Sequence, residues 1–174
     1  MARPIPPEQA ASDDAAKEAA LRLLARGPRT EREVVDRLIE RGYVPDAVER
    51  AVERLRRVSL LDDRAYLGWF VRTELLRKPQ GIRLLRMKLA RHGLPRPLLE
   101  ALDDAIQDDR DLAERALETE IGRAEAAARQ IRRGPVGKKD PDRRRRMLQA
   151  ALLRRGFTWD TIRDLVGEEP ESES

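Results

Sequence analysis

The chain has 174 residues, the length of one ordinary domain or of a short array of small repeats, which excludes a large multidomain enzyme. Charged residues make up 39% of it against 40% apolar residues, the formal net charge is +4, the mean hydropathy is −0.67 and only six residues are aromatic, so the core must be built mainly from small aliphatic side chains. Such a thin core argues against a large ligand cavity and small-molecule catalysis, and the lack of cysteine excludes disulfides, thiolate nucleophiles and sulfur-ligated metals.

Residues 1–12 contain prolines at positions 4, 6 and 7 and no charged region followed by an apolar run, so we expect no signal peptide there. We expect a disordered N-terminal extension instead. No stretch of the sequence approaches the roughly 18 apolar residues of a membrane span. Together with the lack of cysteine, these features predict a cytoplasmic protein that has no membrane partner.

Residues 13–60 are predicted to form a first three-helix repeat. Apolar residues at helical spacing mark its first helix, which a Gly-Pro pair at 27–28 ends. Thr30 and Glu33 have the spacing of a capping box, in which each side chain accepts a hydrogen bond from the backbone of the other residue. Pro45 suits the first turn of the third helix, because the N–H that proline lacks has no intrahelical partner there.

Residues 61–107 are predicted to form a second repeat. Either Asp62 or Asp63 is expected to cap its first helix, which should end before Pro79. The aromatic residues of this helix recur at helical spacing, which is more typical of a core than of a base-stacking platform. They are Tyr66, Trp69 and Phe70.

Residues 108–166 are predicted to form a third repeat, with a basic loop at about 132–142. Its first helix is expected to begin near Asp108 and its second at Asp142. The apolar residues of the first helix are Leu112, Ala116 and Leu117. Residues 167–174 should form a disordered acidic tail. Because no segment alternates with a period of two residues, the fold class is predicted to be all-α.

One motif recurs in all three repeats, within residues 38–52, 88–102 and 152–166. In each, an apolar helix end with basic residues in its last turn is followed by a glycine, an apolar residue and a new helix. The glycines are Gly42, Gly93 and Gly156, and the residues after them are Tyr43, Leu94 and Phe157. Glycine reaches the left-handed conformation without steric cost, so the motif predicts a helix C-cap whose apolar residue packs back on the helix just ended.

Charge is distributed in blocks of opposite sign. Residues 64–96 hold nine basic residues and one acidic residue, residues 97–128 hold three and ten, and residues 129–159 hold eleven and two. Ordinary solvated helices intersperse both signs, so basic blocks of this kind indicate a surface for a polyanion. The alternative is that the basic and acidic blocks pair with each other in the fold.

No constellation of catalytic residues emerges from the sequence. The single histidine, His92, stands at a predicted helix end, where it can interact with unpaired carbonyls. Asp62 and Asp63 are adjacent and point apart, which favours helix capping over acid-base or metal-binding roles. The stretch GPVGKK at 134–139 lacks the spacing of a phosphate loop. We therefore expect a protein that is not an enzyme and that needs no cofactor and no metal.

The basic residues are more informative, above all the run Arg143–Arg146. Four cations in the first turn of a helix face the positive end of its dipole and repel one another, so stability alone would not select them. We interpret them as part of a surface for phosphates or carboxylates, the alternative being a merely solvated turn. The candidate binding residues are Arg72, Arg77, Lys78, Arg83, Arg86, Lys88, Arg132, Arg133, Lys138, Lys139, Arg143, Arg144, Arg145 and Arg146.

Three segments carry a resemblance to a known family: LLDDRAYLGWFVRTELLRKPQGIRLLRMKLARHGL (60–94), LLARGPRTEREVVDRLIERGY (23–43) and RRRRMLQAALLRRGFTWDTIRDLV (143–166). Over most of residues 15–166 the chain resembles the bacterial RecX family of recombination regulators. The proline-rich start, the basic loop and the acidic tail depart from the family pattern.

The resemblance implies an elongated, curved array of three three-helix repeats that binds along the RecA recombinase filament on DNA. It implies that the protein inhibits ATP hydrolysis, strand exchange and the stimulated self-cleavage of the SOS repressor. We expect a monomer whose basic surface contacts single- or double-stranded DNA. Two alternatives stay open: a nucleic-acid-binding protein that acts without a protein partner, and a general helical adaptor whose binding is insensitive to DNA and salt.

Overall fold

The computed structural model describes residues 5–133 and 141–167. In these ranges the secondary structure consists of helices that loops connect. None of the helices in these ranges is both long and apolar enough to cross a membrane. The helices are α1 (Pro7–Ala10), α2 (Asp13–Leu24), α3 (Glu31–Glu40), α4 (Pro45–Arg57), α5 (Asp63–Arg77), α6 (Ile82–Arg91), α7 (Arg96–Glu100), α8 (Leu102–Gln107), α9 (Arg110–Ala113), α10 (Glu120–Arg132), α11 (Pro141–Arg154) and α12 (Trp159–Val166). The fold is therefore all-α and built from tandem three-helix repeats, as predicted.

The helix starts follow the capping signals of the sequence. The Thr30 hydroxyl accepts from the backbone N–H of Glu33 at 3.1 Å, and the Glu33 carboxylate accepts from the N–H of Thr30 at 3.2 Å. This confirms the predicted capping box of α3. Asp62 caps α5, because its carboxylate accepts from the backbone of Ala65 at 3.0 Å. Pro45 is the first residue of α4, also as predicted.

The repeated glycine turn is confirmed in all three places. Gly42, Gly93 and Gly156 have φ angles of 95°, 79° and 80°. In each turn, the residue after the glycine donates its N–H to the carbonyl of a leucine five positions earlier, the 6→1 bond of a Schellman motif. These bonds are Tyr43 to Leu38 at 3.1 Å, Leu94 to Leu89 at 3.2 Å and Phe157 to Leu152 at 3.3 Å. All six side chains are buried, so each turn also closes a piece of the core.

The contacts between helices divide the chain into two compact units. Unit 1 comprises Met1–Leu67 and Leu89–Leu99, and unit 2 comprises Gly68–Lys88 and Glu100–Ser174. The second repeat thus contributes residues to both units, so the units do not coincide with the predicted repeats.

Each unit has its own thin aliphatic core. In unit 1, α2, α3 and α4 pack through alanines and larger aliphatic side chains. These include Ala16, Ala20, Val34, Leu38, Ala47, Ala51 and Leu55. In unit 2, α10, α11 and α12 enclose a similar core. It includes Ala124, Ala127, Leu148, Leu152, Phe157 and Ile162.

The start of the chain is more ordered than predicted. Within residues 1–12, expected to be disordered, Pro7–Ala10 forms α1, and Ala10 is buried. The Ala10 carbonyl accepts a hydrogen bond of 3.0 Å from the N–H of Val44, which fixes this segment beside the first glycine turn. Residues 1–4 lie outside the described part of the chain, as do residues 134–140 of the predicted basic loop and residues 168–174 of the predicted acidic tail.

The first helix predicted for the third repeat is wrong in its extent. Instead of running on from Asp108, the chain forms the short α9 and then turns at Ala116, where φ is 52°. The N–H of Leu117 donates to Leu112 at 2.8 Å, so this turn has the geometry of the glycine turns without the glycine. Thr119 then caps α10 by accepting from the N–H of Gly122 at 3.1 Å.

Two smaller corrections concern the second repeat. Its third helix is divided at Ala101 into α7 and α8. Phe70 is buried as expected, but Trp69 is 43% exposed, so it does not belong to the core. Trp69 lies next to Phe70 in α5, and consecutive residues of a helix point in different directions.

Candidate functional site

All fourteen basic residues predicted to bind a polyanion belong to unit 2. Those of the second repeat lie on or between α5 and α6, and those of the third repeat lie on or near α10 and α11. Lys138 and Lys139 lie outside the described residues. Four of the other twelve residues form ion pairs with carboxylates.

Arg72 is held by two aspartates of the acidic block. Its Nε donates to a carboxylate oxygen of Asp109 at 2.8 Å, and a carboxylate oxygen of Asp111 lies 3.3 Å away. Asp109 is buried and also caps α9 by accepting from the N–H of Leu112 at 3.1 Å. Its hydrogen bond raises the pKa of Arg72 above the ordinary value. Arg72 therefore helps to fix α9 against α5.

Glu74 is the centre of a second cluster. Its side chain is 13% exposed and accepts hydrogen bonds from Lys88, from Arg77 at 2.5 Å and from Gln80 at 3.0 Å. Burial on its own raises the pKa of Glu74, but the hydrogen bonds from Lys88, Gln80 and Arg77 outweigh it and lower the pKa to about 2. The only acidic residue of the first basic block thus neutralises part of that block.

Arg86 pairs with Asp103 at 3.4 Å, and both side chains are exposed. With Arg72 it links the first basic block to the acidic block that follows, so mutual pairing of the blocks holds for this part of the chain. Lys78 and Arg83 differ: both are exposed, and no carboxylate of the described residues lies within 4 Å of either.

The run Arg143–Arg146 occupies the third to sixth positions of α11, and Asp142 is the only acidic residue of its first turn. Arg144 and Arg146 are exposed, and among the described residues neither has a carboxylate within 4 Å. Arg145 is half-buried, and its guanidinium donates to the backbone carbonyl of Gly167 at 2.5 Å. Arg144 and Arg146 therefore place two positive charges near the start of α11 that no carboxylate of the described residues neutralises.

An open groove of about 780 Å³ lies between α10, α11 and α12, and we call it the arginine groove. Its apolar residues are Ile131, Pro141, Met147, Leu148, Ala151 and Val166, and its cations are Arg132, Arg144, Arg145 and Arg154. The groove brings Arg132, at the end of α10, together with the first turn of α11. Arg133, the next residue, is also exposed.

Arg154 and the apolar floor of this groove were not among the binding residues predicted from the sequence. Arg144, Met147, Ala151 and Arg154 follow one another at intervals of three, four and three residues, which places them on one face of α11. A search of the sequence for residues that share one helix face could have found this spacing. A search for runs of charged residues could not find it.

The residues considered for catalysis have structural partners. Asp63 accepts from the backbone N–H of Glu31 at 2.8 Å, and its burial raises its pKa. Nδ1 of His92 lies 2.7 Å from the carboxylate of Glu33, a side-chain partner that the sequence did not predict. In the described ranges, no three His, Asp or Glu residues are grouped so that they could hold a metal ion.

Comparison with known proteins gives a consistent result. Residues 16–55 match the family described as RecX, first three-helix domain. The chain is 35% identical over 159 residues to the regulatory protein RecX of Halorhodospira halophila, over 90% of this chain and 89% of that protein. It is 33% identical over 148 residues to the regulatory protein RecX of Chlorobaculum tepidum, over 84% and 83%.

A solved structure has the same fold. The crystal structure of RecX from Lactobacillus salivarius superimposes with a TM-score of 0.69 over 88% of this chain and 93% of that one, at 21% sequence identity. A further crystal structure of a regulatory protein RecX gives a TM-score of 0.68 at 25% identity, over 90% and 73% of the two chains.

Proposed function

The chain belongs to the RecX family of regulatory proteins, and we propose that it binds the RecA–DNA filament and inhibits the ATPase, strand-exchange and coprotease activities of RecA. It would then act as a negative regulator of homologous recombination and of the SOS response. We propose that it does so as a monomer in the cytoplasm and without a cofactor.

The observation that carries this proposal is the run Arg143–Arg146 near the start of α11. An exposed cation in the first turn of a helix costs about 0.3–1 kcal/mol, which applies to Arg143 and Arg144, and the four neighbouring arginines also repel one another. Among the described residues, no carboxylate lies within 4 Å of Arg144 or Arg146. A phosphate or an acidic side chain of a partner would offset this cost, and a nucleoprotein filament offers both.

We propose that the candidate residues divide into two groups. Those without a carboxylate partner, together with the whole α11 turn, would contact the filament. They are Lys78, Arg83, Arg132, Arg133, Arg143, Arg144, Arg145 and Arg146, and Lys138 and Lys139 stay with them as a prediction from the sequence. Those with carboxylate partners would mainly hold unit 2 together. They are Arg72, Arg77, Arg86 and Lys88.

The test is the ATPase activity of RecA filaments on single-stranded DNA, measured with increasing amounts of the purified chain. We expect inhibition at substoichiometric amounts, and weaker inhibition by the double variant Arg144→Gln/Arg146→Gln. The matched control is Arg22→Gln/Arg37→Gln, which removes two arginines that pair with glutamates on the surface of unit 1 and should inhibit like the wild type. Unchanged ATPase activity at a molar excess of the chain would contradict the proposal.

The alternative, a nucleic-acid-binding protein without a protein partner, makes a different prediction for bare DNA. Combined contacts to protein and phosphate exceed what electrostatic attraction to DNA alone supplies. We therefore expect the chain to bind RecA-coated single strands more tightly than naked ones of the same length and at the same salt concentration. Equal affinity for the two, measured by fluorescence anisotropy of labelled DNA, would favour the alternative.

A further inference from the structure

The arginine groove combines a cationic rim with an apolar floor. Of the described residues that line it, none is acidic and none is aromatic. The rim carries four arginines, and among the described residues no carboxylate lies within 4 Å of Arg132, Arg144 or Arg154. On the floor, Met147 is 45% exposed. The groove therefore presents positive charge and exposed apolar surface side by side.

The order of residues along α11 sets the spacing of these two kinds of surface. Arg144 and Arg154 are ten residues apart, so they lie about 15 Å from each other along the helix axis. Between them in the sequence, Met147, Leu148 and Ala151 line the same groove. An apolar strip is thus bounded by a cation at each end.

Phosphate binding accounts for the rim of the groove but not for its floor. A nucleic-acid backbone would place charged phosphates against apolar side chains, which removes their water without providing hydrogen bonds. Bases bind protein surfaces of this kind mainly by stacking on aromatic side chains, and the described lining has none. An amphipathic polypeptide helix suits both surfaces, because its apolar face is buried on the floor and its carboxylates form charge-assisted hydrogen bonds with arginines.

From these observations we infer that the arginine groove docks an acidic amphipathic helix of a partner protein. The aliphatic side chains of that helix pack on Met147, Leu148 and Ala151, and its carboxylates pair with Arg144 and Arg154. A helix that lies along α11 presents carboxylates with this separation when they are about ten residues apart, or nearly three turns. Where the partner is the RecA filament, the inference rests on the proposed function and assigns the groove to the protein of the filament rather than to its DNA.

The preference of the groove can be measured without RecA, with two synthetic peptides of about 14 residues that are cross-linked to keep them helical. Both carry glutamates about ten residues apart. Between these, one peptide has leucines at i, i+3, i+4 and i+7, and the other has glutamines, whose helix propensity is similar. We expect the full-length protein to bind the leucine peptide about tenfold more tightly in fluorescence anisotropy titrations. Equal affinities would show that charge alone drives binding and would overturn the inference.

The floor of the groove is tested with Met147→Ser, which removes apolar surface without changing the charge. This substitution should weaken binding of the leucine peptide about three- to tenfold and leave binding of single-stranded oligothymidine unchanged. The matched control is Met87→Ser on α6, where the methionine is 43% exposed and lies outside the groove. It should leave peptide binding unchanged. Equal losses in the two variants would overturn docking at this groove, and an equal loss of peptide and oligothymidine binding in Met147→Ser would make the groove a nucleic-acid site instead.

The rim is tested with Arg144→Gln/Arg154→Gln. This variant should bind the leucine peptide more weakly than the wild type at low salt, and the difference should shrink as the salt concentration rises, because salt screens exposed ion pairs. The control Arg22→Gln/Arg37→Gln removes two arginines of unit 1 and should bind the peptide like the wild type. Unchanged peptide affinity in Arg144→Gln/Arg154→Gln would overturn the inference.

The ATPase assay with RecA filaments connects the groove to the proposed function. If the groove docks a helix of the filament protein, Met147→Ser should raise the concentration of the chain that gives half-maximal inhibition by about three- to tenfold. Unchanged inhibition by this variant would overturn the part of the groove in filament binding. Failure of the wild type to inhibit RecA would contradict the proposed function alone, and the two peptides would still decide whether the groove prefers an acidic amphipathic helix.

Discussion

The backbone N–H of Gly81 donates a hydrogen bond of 2.9 Å to the carbonyl of Arg155, and a Cβ added at Gly81 would lie only 2.1 Å from the carbonyl oxygen of Gly156. The start of α6 thus packs directly on the third glycine turn. Unit 1 contains the corresponding contact, in which the Thr30 hydroxyl donates to the carbonyl of His92 at 2.6 Å. In both units, the start of a repeat's second helix contacts the residue before the glycine turn of the following repeat.

This relationship makes Gly81→Ala a strongly destabilising change. The new methyl group cannot be accommodated without moving the backbone of the third turn, so we expect a loss of about 2–4 kcal/mol in the free energy of unfolding. Urea denaturation at 25 °C, followed by circular dichroism, measures this loss.

Gly68→Ala is the matched control for Gly81→Ala. Gly68 lies in the middle of α5, and nothing is within 4 Å of the position of its added Cβ. The substitution should stabilise the protein by about 0.5–1 kcal/mol, because alanine is the better helix former. Equal effects of the two substitutions would show that the close approach at Gly81 is not required.

Gly156→Val is expected to destabilise unit 2 locally. The φ of 80° disfavours a β-branched residue, and the added Cβ would lie 2.8 Å from the backbone nitrogen of Leu84. Amide hydrogen exchange should therefore lose protection in α11, α12 and the start of α6, while α2–α4 keep theirs. Uniform loss of protection across all helices would contradict a modular array.

Replacing the whole run Arg143–Arg146 by Gln should weaken binding to RecA-coated DNA and flatten its salt dependence. For each phosphate that the variant no longer neutralises, the slope of log affinity against log salt should fall in magnitude by about 0.7–0.9. Thermal stability should hold or rise slightly, because the change relieves mutual repulsion and the unfavourable dipole. Binding titrations at several salt concentrations and a melting curve of the variant separate a binding defect from unfolding. Unchanged affinity and slope would remove this turn from the binding surface.

Arg72→Gln tests whether a paired arginine is structural. The substitution leaves the buried carboxylate of Asp109 without its cation, which should cost about 1–3 kcal/mol of the free energy of unfolding. Arg83→Gln, at an exposed position without a carboxylate partner among the described residues, should change it by less than about 0.5 kcal/mol. Urea denaturation of both variants measures the difference. If Arg72→Gln weakened filament binding without any loss of stability, Arg72 would belong to the binding surface instead.

The lowered pKa of Glu74 makes part of the free energy of unfolding depend on pH. Because its folded-state pKa is lowered from 4.5 to about 2, ionised Glu74 stabilises the fold above about pH 4.5, and this contribution is lost as the pH falls toward 2. The difference in unfolding free energy between the wild type and Glu74→Gln should therefore shrink over that range. Urea denaturation at several pH values tests it, and a difference independent of pH between 5 and 2 would contradict the role assigned to Glu74.

The starts of α3, α4 and α5 and the three glycine turns could be predicted from the sequence because their signals are local. A capping box is encoded within four residues, and a Schellman turn within six. The turn at Ala116 could not be found in this way. It has the same backbone hydrogen bond, from Leu117 to Leu112, but its residue in the left-handed conformation is not a glycine. Alanine adopts that conformation only when the surrounding structure stabilises it.

The concentration of positive charge in two blocks is also evident from the order of the residues, but which of these cations have partners depends on the packing of the helices. Arg72 and Asp109 are 37 residues apart, and Arg86 and Asp103 are 17 apart, so their pairing requires the folded arrangement of unit 2. The arginine groove likewise exists only because α10, α11 and α12 surround one core. Local sequence fixes the conformation of each segment, whereas the pairing of charges requires that distant segments be brought within a few ångströms of each other.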